Sequence, residues 1–222
     1  MTDPVMKFET HWADQMVVHF DEAEAQAHLL RVKQKSEEDR FFFMSLLAAE
    51  YHWHFVQGME AIRRALFIPG VSSLLNGLEA SLRFTLKQLT GPDAFEQEPS
   101  PYRVLSNRLL RDAAAQGMPV GNLAFPSEKD FFGTIVADKG PSAEIVRVRN
   151  QICHGNIYEF IEEVAEAECR IFTPDALRPL ALNLLGMSAR WAYALGNFRI
   201  ERKLRAAPPP AIPPIPASLA GL

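Results

Sequence analysis

The sequence predicts an all-α protein, an up-and-down bundle of about five to six helices. Three observations predict it. Apolar residues recur at three- and four-residue spacing in Phe43, Leu46, Leu47, Phe55, Met59 and Ile62, and again in Leu74, Leu75, Leu78, Leu82, Leu86 and Leu89. No stretch alternates with period two, apart from a short extended piece at Glu168 to Phe172. Turns built on Pro and Gly separate the periodic runs. The chain reads as an acidic N-terminal segment over 1–36, a helical bundle over 37–206 and a Pro-rich, disordered tail over 207–222.

Taken in order, a helical patch is expected from about Asp21 to Lys35, and a long helix from Glu37 to Phe67. Ile68-Pro69-Gly70 should stop that helix, because Pro cannot continue the ladder and Gly tolerates positive φ. Ser72 or Ser73 should cap the next helix, which runs to Leu89 before Thr90-Gly91-Pro92. These two form a hairpin, with Glu79 and Arg83 able to pair across one turn. Tyr102 to Ala115 is helical, and Gly117 to Lys129 is loop-like. Ser142 should cap a helix ending at Cys153, with Gly155 as its stop. Thr173-Pro174-Asp175 starts the last helix, which can reach Leu204. Pro179 either kinks its first turn or marks the start of the helix proper.

The formal charge of −4 argues against a surface coated in positive charge for bulk nucleic-acid binding, although a local basic cleft remains open. Cys153 and Cys169, with no metal-type spacing around them, read as reduced thiols in a cytoplasmic setting. The start Met1-Thr2-Asp3-Pro4 carries an acid where a signal peptide needs a positive n-region, no run is long enough to span a bilayer, and neither a signal peptide nor a membrane partner is expected.

The segment with chemical potential is Arg149-Asn150-Gln151-Ile152-Cys153-His154-Gly155-Asn156. At 100° per residue, Ile145, Val148 and Ile152 share one face, and Arg149 falls inside that apolar arc. A guanidinium there is costly unless it is paired or faces a site. Arg147, Asn150 and His154 form a polar stripe on the opposite side. On an unbroken helix Arg149 and His154 point about 140° apart, so convergence requires the helix to end near Cys153 or a second subunit to supply one partner.

Arg149-Asn150-x3-His154, at the end of a late helix, resembles the Arg-x(4–6)-His signature of the HEPN superfamily, in which a polar residue commonly follows the Arg. The resemblance covers about eight residues in motif, and Phe43 to Leu204 in architecture. It implies a metal-independent endoribonuclease without cofactor, acting as a homodimer on RNA. Many members are toxins with a protein antitoxin, or phage-defence effectors. Carried onto this chain, His154 would move protons on the 2′-hydroxyl or the leaving oxygen, Arg149 would hold the scissile phosphate, and Asn150 would orient the imidazole or contact the phosphate. Arg147 and Asn156 would bind the RNA. One subgroup carries a tyrosine two residues after the histidine; here Asn156 stands there, and the nearest tyrosine is Tyr158.

Two other readings fit the same residues. One is a non-catalytic helical module binding RNA, a nucleotide or a protein. The other is a scaffold in which Arg149 closes an ion pair with a buried acid such as Glu79. Of the remaining candidates, His52 and His54 sit two apart and point to different sides, and Glu50 with His54 lacks a third ligand, so no metal site is expected. His11, His19 and His28 read as surface residues; Trp12, Trp53 and Trp191 read as core or interface anchors. The basic run Arg199, Arg202, Lys203 and Arg205 either extends an RNA groove or opposes a helix dipole, the second being favoured. The acidic N-terminal segment is a candidate cover for a basic surface.

Overall fold

The computed structural model describes residues 22–49, 51–90, 104–137, 139–156, 158–164, 169–205 and 211–222. Eight α-helices are found among them: α1 Glu22–Leu46, α2 His52–Arg63, α3 Phe67–Leu89, α4 Asn107–Ala115, α5 Phe131–Val136, α6 Glu144–Cys153, α7 Arg178–Glu201 and α8 Ala217–Ala220. A two-stranded antiparallel ladder, β1 Glu162–Val164 with β2 Cys169–Ile171, pairs Glu163 with Arg170. The second strand occupies the short extended piece expected after Glu168. The protein is a helical bundle, as its periodicity predicts. No helix among the described residues is long and apolar enough to cross a membrane.

The chain divides into two compact units, Met1–Glu37 and Glu38–Leu222. In the first, the described residues lie on α1, where Leu29, Leu30 and Val32 are exposed. The remaining acidic segment, with His11, Trp12, His19 and the proposed cover, lies outside the described residues. The second unit holds the core.

Helix α3 is the hub of that core, packing against α2, α4, α6 and α7. Its stripe Leu74, Leu75, Leu78 and Leu82 is fully buried, and Trp191 of α7 closes against it with Nε1 donating to Ser81 Oγ at 2.9 Å. The α2–α3 hairpin is tight because glycines face each other across it. A Cβ on Gly70 would come within 2.6 Å of Ile62 Cγ1, and one on Gly58 within 3.1 Å of the Gly70 carbonyl.

Several expected boundaries move. From Glu22 on, the patch expected to Lys35 and the first part of the run from Glu37 are one helix, α1, and the run to Phe67 is broken after Leu46. Leu47 takes φ 40°, with neither Gly nor Pro nearby to announce it. The break is held from α7 and the residues just after it. Arg199, buried, donates to Leu46 O, and Arg205 donates to Met44 O at 2.8 Å and to Ser45 O at 3.3 Å. Gly196 leaves room for this approach, since a Cβ there would meet Ser45 O at 2.5 Å. The basic run is therefore divided: two of its arginines satisfy the last carbonyls of another helix, and Arg202 stacks over the Phe198 ring at 5.4 Å.

Pro69 and Gly70 do not stop a helix; they lie in the first turn of α3, where a missing N–H costs nothing. The turn falls earlier, at Arg64 to Leu66, with Ala65 at φ 57°. Ser72 and Ser73 are thus inside α3, and Ser73 Oγ donates to His54 O at 2.8 Å. Helix α4 begins at Asn107 with Ser106 as its cap, later than expected; Tyr102 is outside the described residues. Helix α7 proper begins at Arg178 after a 3₁₀ turn over Pro174–Leu177, and ends at Glu201 rather than Leu204.

The Pro-rich tail is the largest correction. Over 211–222 it is not disordered: it lies on the bundle with Leu219 buried. The backbone of Leu222 sits where a Cβ on Gly186 would be, its carbonyl 2.6 Å from that position, and it accepts from Arg190 Nη1 at 3.1 Å. Ile212 abuts Gly196 in the same way, and Ser218 bonds the buried Glu38, which also pairs with Arg63. Small residues on α7 form the seat that composition alone does not reveal.

Candidate functional site

Helix α6 carries the site, and both of its ends are fixed by groups from elsewhere. At its start Ser142 is not the cap; Ala143 is, and it offers no side-chain acceptor. Asn107 Oδ1 accepts from Ala143 N at 2.9 Å, and Glu128 Oε1 accepts from Glu144 N at 2.8 Å. A carboxylate at a helix N-terminus satisfies an orphan donor and opposes the positive end of the dipole. At its end Gly155 takes φ 69°, Gly155 N–H donates to Ile152 O at 3.2 Å, and Asn156 N–H donates to Gln151 O at 2.8 Å. That pair of bonds with a left-handed residue is the Schellman termination, and it ends the helix at Cys153 as expected.

Between these ends Ile145, Val146 and Val148 are buried against α3. Arg149 shares their side and meets an acid there. Its Nε donates to Glu79 Oε2 at 3.2 Å, with the two side chains 15% and 11% exposed. Glu79 is a junction: Oε2 also accepts from Leu105 N at 2.9 Å, and Oε1 lies 3.5 Å from Arg83 Nη1. One carboxylate thus ties α3 to α6 and to the segment leading into α4. Glu79 follows Leu75 by four residues on the apolar stripe of α3. An acid on that stripe mirrors the arginine on the apolar arc of α6, and this is the sequence signal that pairs them.

On the solvent side, Arg149 Nη1 lies 3.4 Å from Asn150 Oδ1. His154 caps the helix and is exposed, as are Asn150 and Asn156. Cys153 beside it is a free, exposed thiol. The structure therefore joins Arg149 to Asn150 and Glu79, and leaves His154 open one turn beyond Asn150.

Arg147 is held differently. Its Nε and Nη2 grip Glu144 at 2.8 and 2.6 Å, and its Nη1 bonds Glu159 from the 3₁₀ turn Tyr158–Phe160. These bonds hold the Glu144 carboxyl below the usual glutamate range and raise the already high value of the guanidinium. A direct contact of Arg147 with an RNA phosphate therefore requires a carboxylate to give way. Glu159, Glu128, Asn107 and Leu105 carry no motif, and their parts follow only from the folded contacts. Around the site the three arginines Arg83, Arg147 and Arg149 are matched by three carboxylates, Glu79, Glu144 and Glu159.

The histidine pair on α2 has other work. His52 is buried, its Nδ1 in a hydrogen bond with Ala48 O at 2.8 Å, and its ring lies between Phe43 and Trp53. No group of three or more metal-type side chains gathers among the described residues, and Glu50 lies outside them. Trp191 is a core anchor, whereas Trp53 is exposed.

No family model, no curated protein and no solved structure matches this chain.

Proposed function

We propose that the end of α6 is the active site of a metal-independent endoribonuclease related to the HEPN superfamily. The observation that carries the reading is the divided environment of Arg149. Its Nε edge is fixed by Glu79, while its Nη1 reaches Asn150 at the surface, one turn before the exposed His154. A guanidinium oriented from behind by a carboxylate loses little entropy on meeting a phosphate. The helix turns away only at Gly155, and His154 N–H still donates to Asn150 O at 3.1 Å, so its imidazole keeps the helical direction and a second copy of the chain has to supply the Arg149–His154 convergence.

In this mechanism the 2′-hydroxyl gives its proton to an imidazole and attacks phosphorus. The bond to the 5′-oxygen breaks, that oxygen takes a proton from an imidazolium, and the products carry a 2′,3′-cyclic phosphate and a 5′-hydroxyl. Arg149 offsets the charge growing on the phosphoryl oxygens, and Asn150 holds the geometry. Two copies of the chain would bring two α6 ends to one cleft, in the cytoplasm, with the activity serving as a toxin restrained by an antitoxin protein or as a phage-defence effector.

The ion pair with Glu79 also favours a second reading, a non-catalytic module that binds RNA, a nucleotide or a protein, because the charge of Arg149 is already balanced. Purified protein incubated with total RNA in EDTA separates the two. The nuclease reading expects fragments with cyclic-phosphate ends, and a loss of about 10²- to 10⁴-fold in His154→Ala. Intact RNA with the wild-type chain, together with equal growth on inducing wild type and His154→Ala, supports the binding module instead.

A further inference from the structure

We infer that Tyr158 is a base-stacking platform that holds an unpaired base beside the scissile phosphate. The inference rests on the ribonuclease reading and specifies its substrate. Tyr158 is 81% exposed, the highest among the exposed large hydrophobic residues described. It is not on a loose tip. Its turn is held by the two residues that follow it, with Glu159 bound to Arg147 and Phe160 packed against the core. Arg147, Asn150 and His154 share one stripe of α6, so the bond to Arg147 lays the turn alongside that stripe. An aromatic ring presented to water four residues after His154, on a turn tied to α6, is the arrangement with which proteins hold an unpaired base.

The electrostatics point the same way. With three arginines matched by three carboxylates, counterion release contributes little to RNA affinity here. Affinity must then come from contacts that do not depend on net charge, and stacking is such a contact for every base. The preference for single strands follows, because bases in a duplex offer no open face.

Binding of a short unstructured oligoribonucleotide by fluorescence anisotropy, in EDTA, tests this with the full chain. Tyr158→Ala should weaken binding about five- to a hundred-fold, the worth of one base–aromatic stack. Tyr158→Phe and Tyr158→Trp should bind as the wild type does, and the same oligonucleotide annealed to its complement should bind as weakly as it does to Tyr158→Ala. Affinity should depend only weakly on salt. Wild-type cleavage with unchanged binding in Tyr158→Ala would overturn the stacking inference and leave the ribonuclease reading standing. A wild-type chain that neither binds nor cuts RNA would sink both. Conversion of a dimer to monomers by Tyr158→Ala, seen by light scattering, would make the ring a subunit anchor and overturn the inference.

Discussion

At the scale of single residues the decisive group is Glu79. It accepts from a guanidinium on α6 and from the Leu105 amide, so its loss leaves a charge and a buried donor uncompensated. Glu79→Ala should cost about 2–4 kcal/mol in urea unfolding, below the full cost of a deeply buried pair because both side chains keep some water. Pairing the change with Arg149→Met should recover part of that loss; strict additivity in the double-mutant cycle would show that the ion pair does not couple. Stability readings of this kind separate the structural part of Arg149 from any part in catalysis, which must be measured on RNA. Gly155 is a simpler case. A Cβ there meets nothing within 4 Å, yet φ is 69°, so Gly155→Ala should cost about 1 kcal/mol through backbone strain alone. A thermal midpoint equal to wild type would contradict it.

At the scale of elements, α6 is a short helix whose position depends on side chains from outside it. Asn107 and Glu128 hold its start, and Arg147 ties it to the turn at Glu159. The Glu144 carboxyl is held below its ordinary value of 4.5, first by the hydrogen bond from Arg147. A depressed carboxyl stabilises the fold fully above the unfolded-state value and loses that contribution as pH falls through the folded-state one. Stability should therefore drop below about pH 4.5, and Glu144→Gln should flatten that part of the profile; denaturant midpoints measured from pH 6 to pH 3 check it. The break after Leu46 shows the same dependence on distant groups. Arg199 and Arg205 supply donors to the carbonyls that α1 leaves free, and burial, with the charge of nearby Arg199, pushes the Arg205 guanidinium below its usual pKa.

At the scale of the whole molecule, the C-terminal residues are part of the fold. Leu219 is buried, and the chain seats on Gly186 and Gly196 of α7. Removing 211–222 should lower the unfolding midpoint by several degrees and expose the α7 seat to a hydrophobic dye, in keeping with the loss of a buried leucine and its neighbours. Unchanged melting after truncation would restore the expectation of an independent tail.

The sequence by itself determined the helical class, the two apolar faces of the α2–α3 hairpin, and the end of α6 at Cys153. It also marked Arg149 as an arginine on an apolar arc and named Glu79 as a partner. These features are local: a periodic stripe, a glycine needing positive φ, and a charge out of place are visible within a few residues. Only the tertiary structure decided where the first long helix breaks, what caps α6, what occupies Arg147, and where the Pro-rich residues lie. Each of those depends on a donor, an acceptor or a gap supplied by residues far along the chain, as Arg199 is for Leu46 and Gly186 is for Leu222. Spacing along one segment cannot report a partner that folding brings from another.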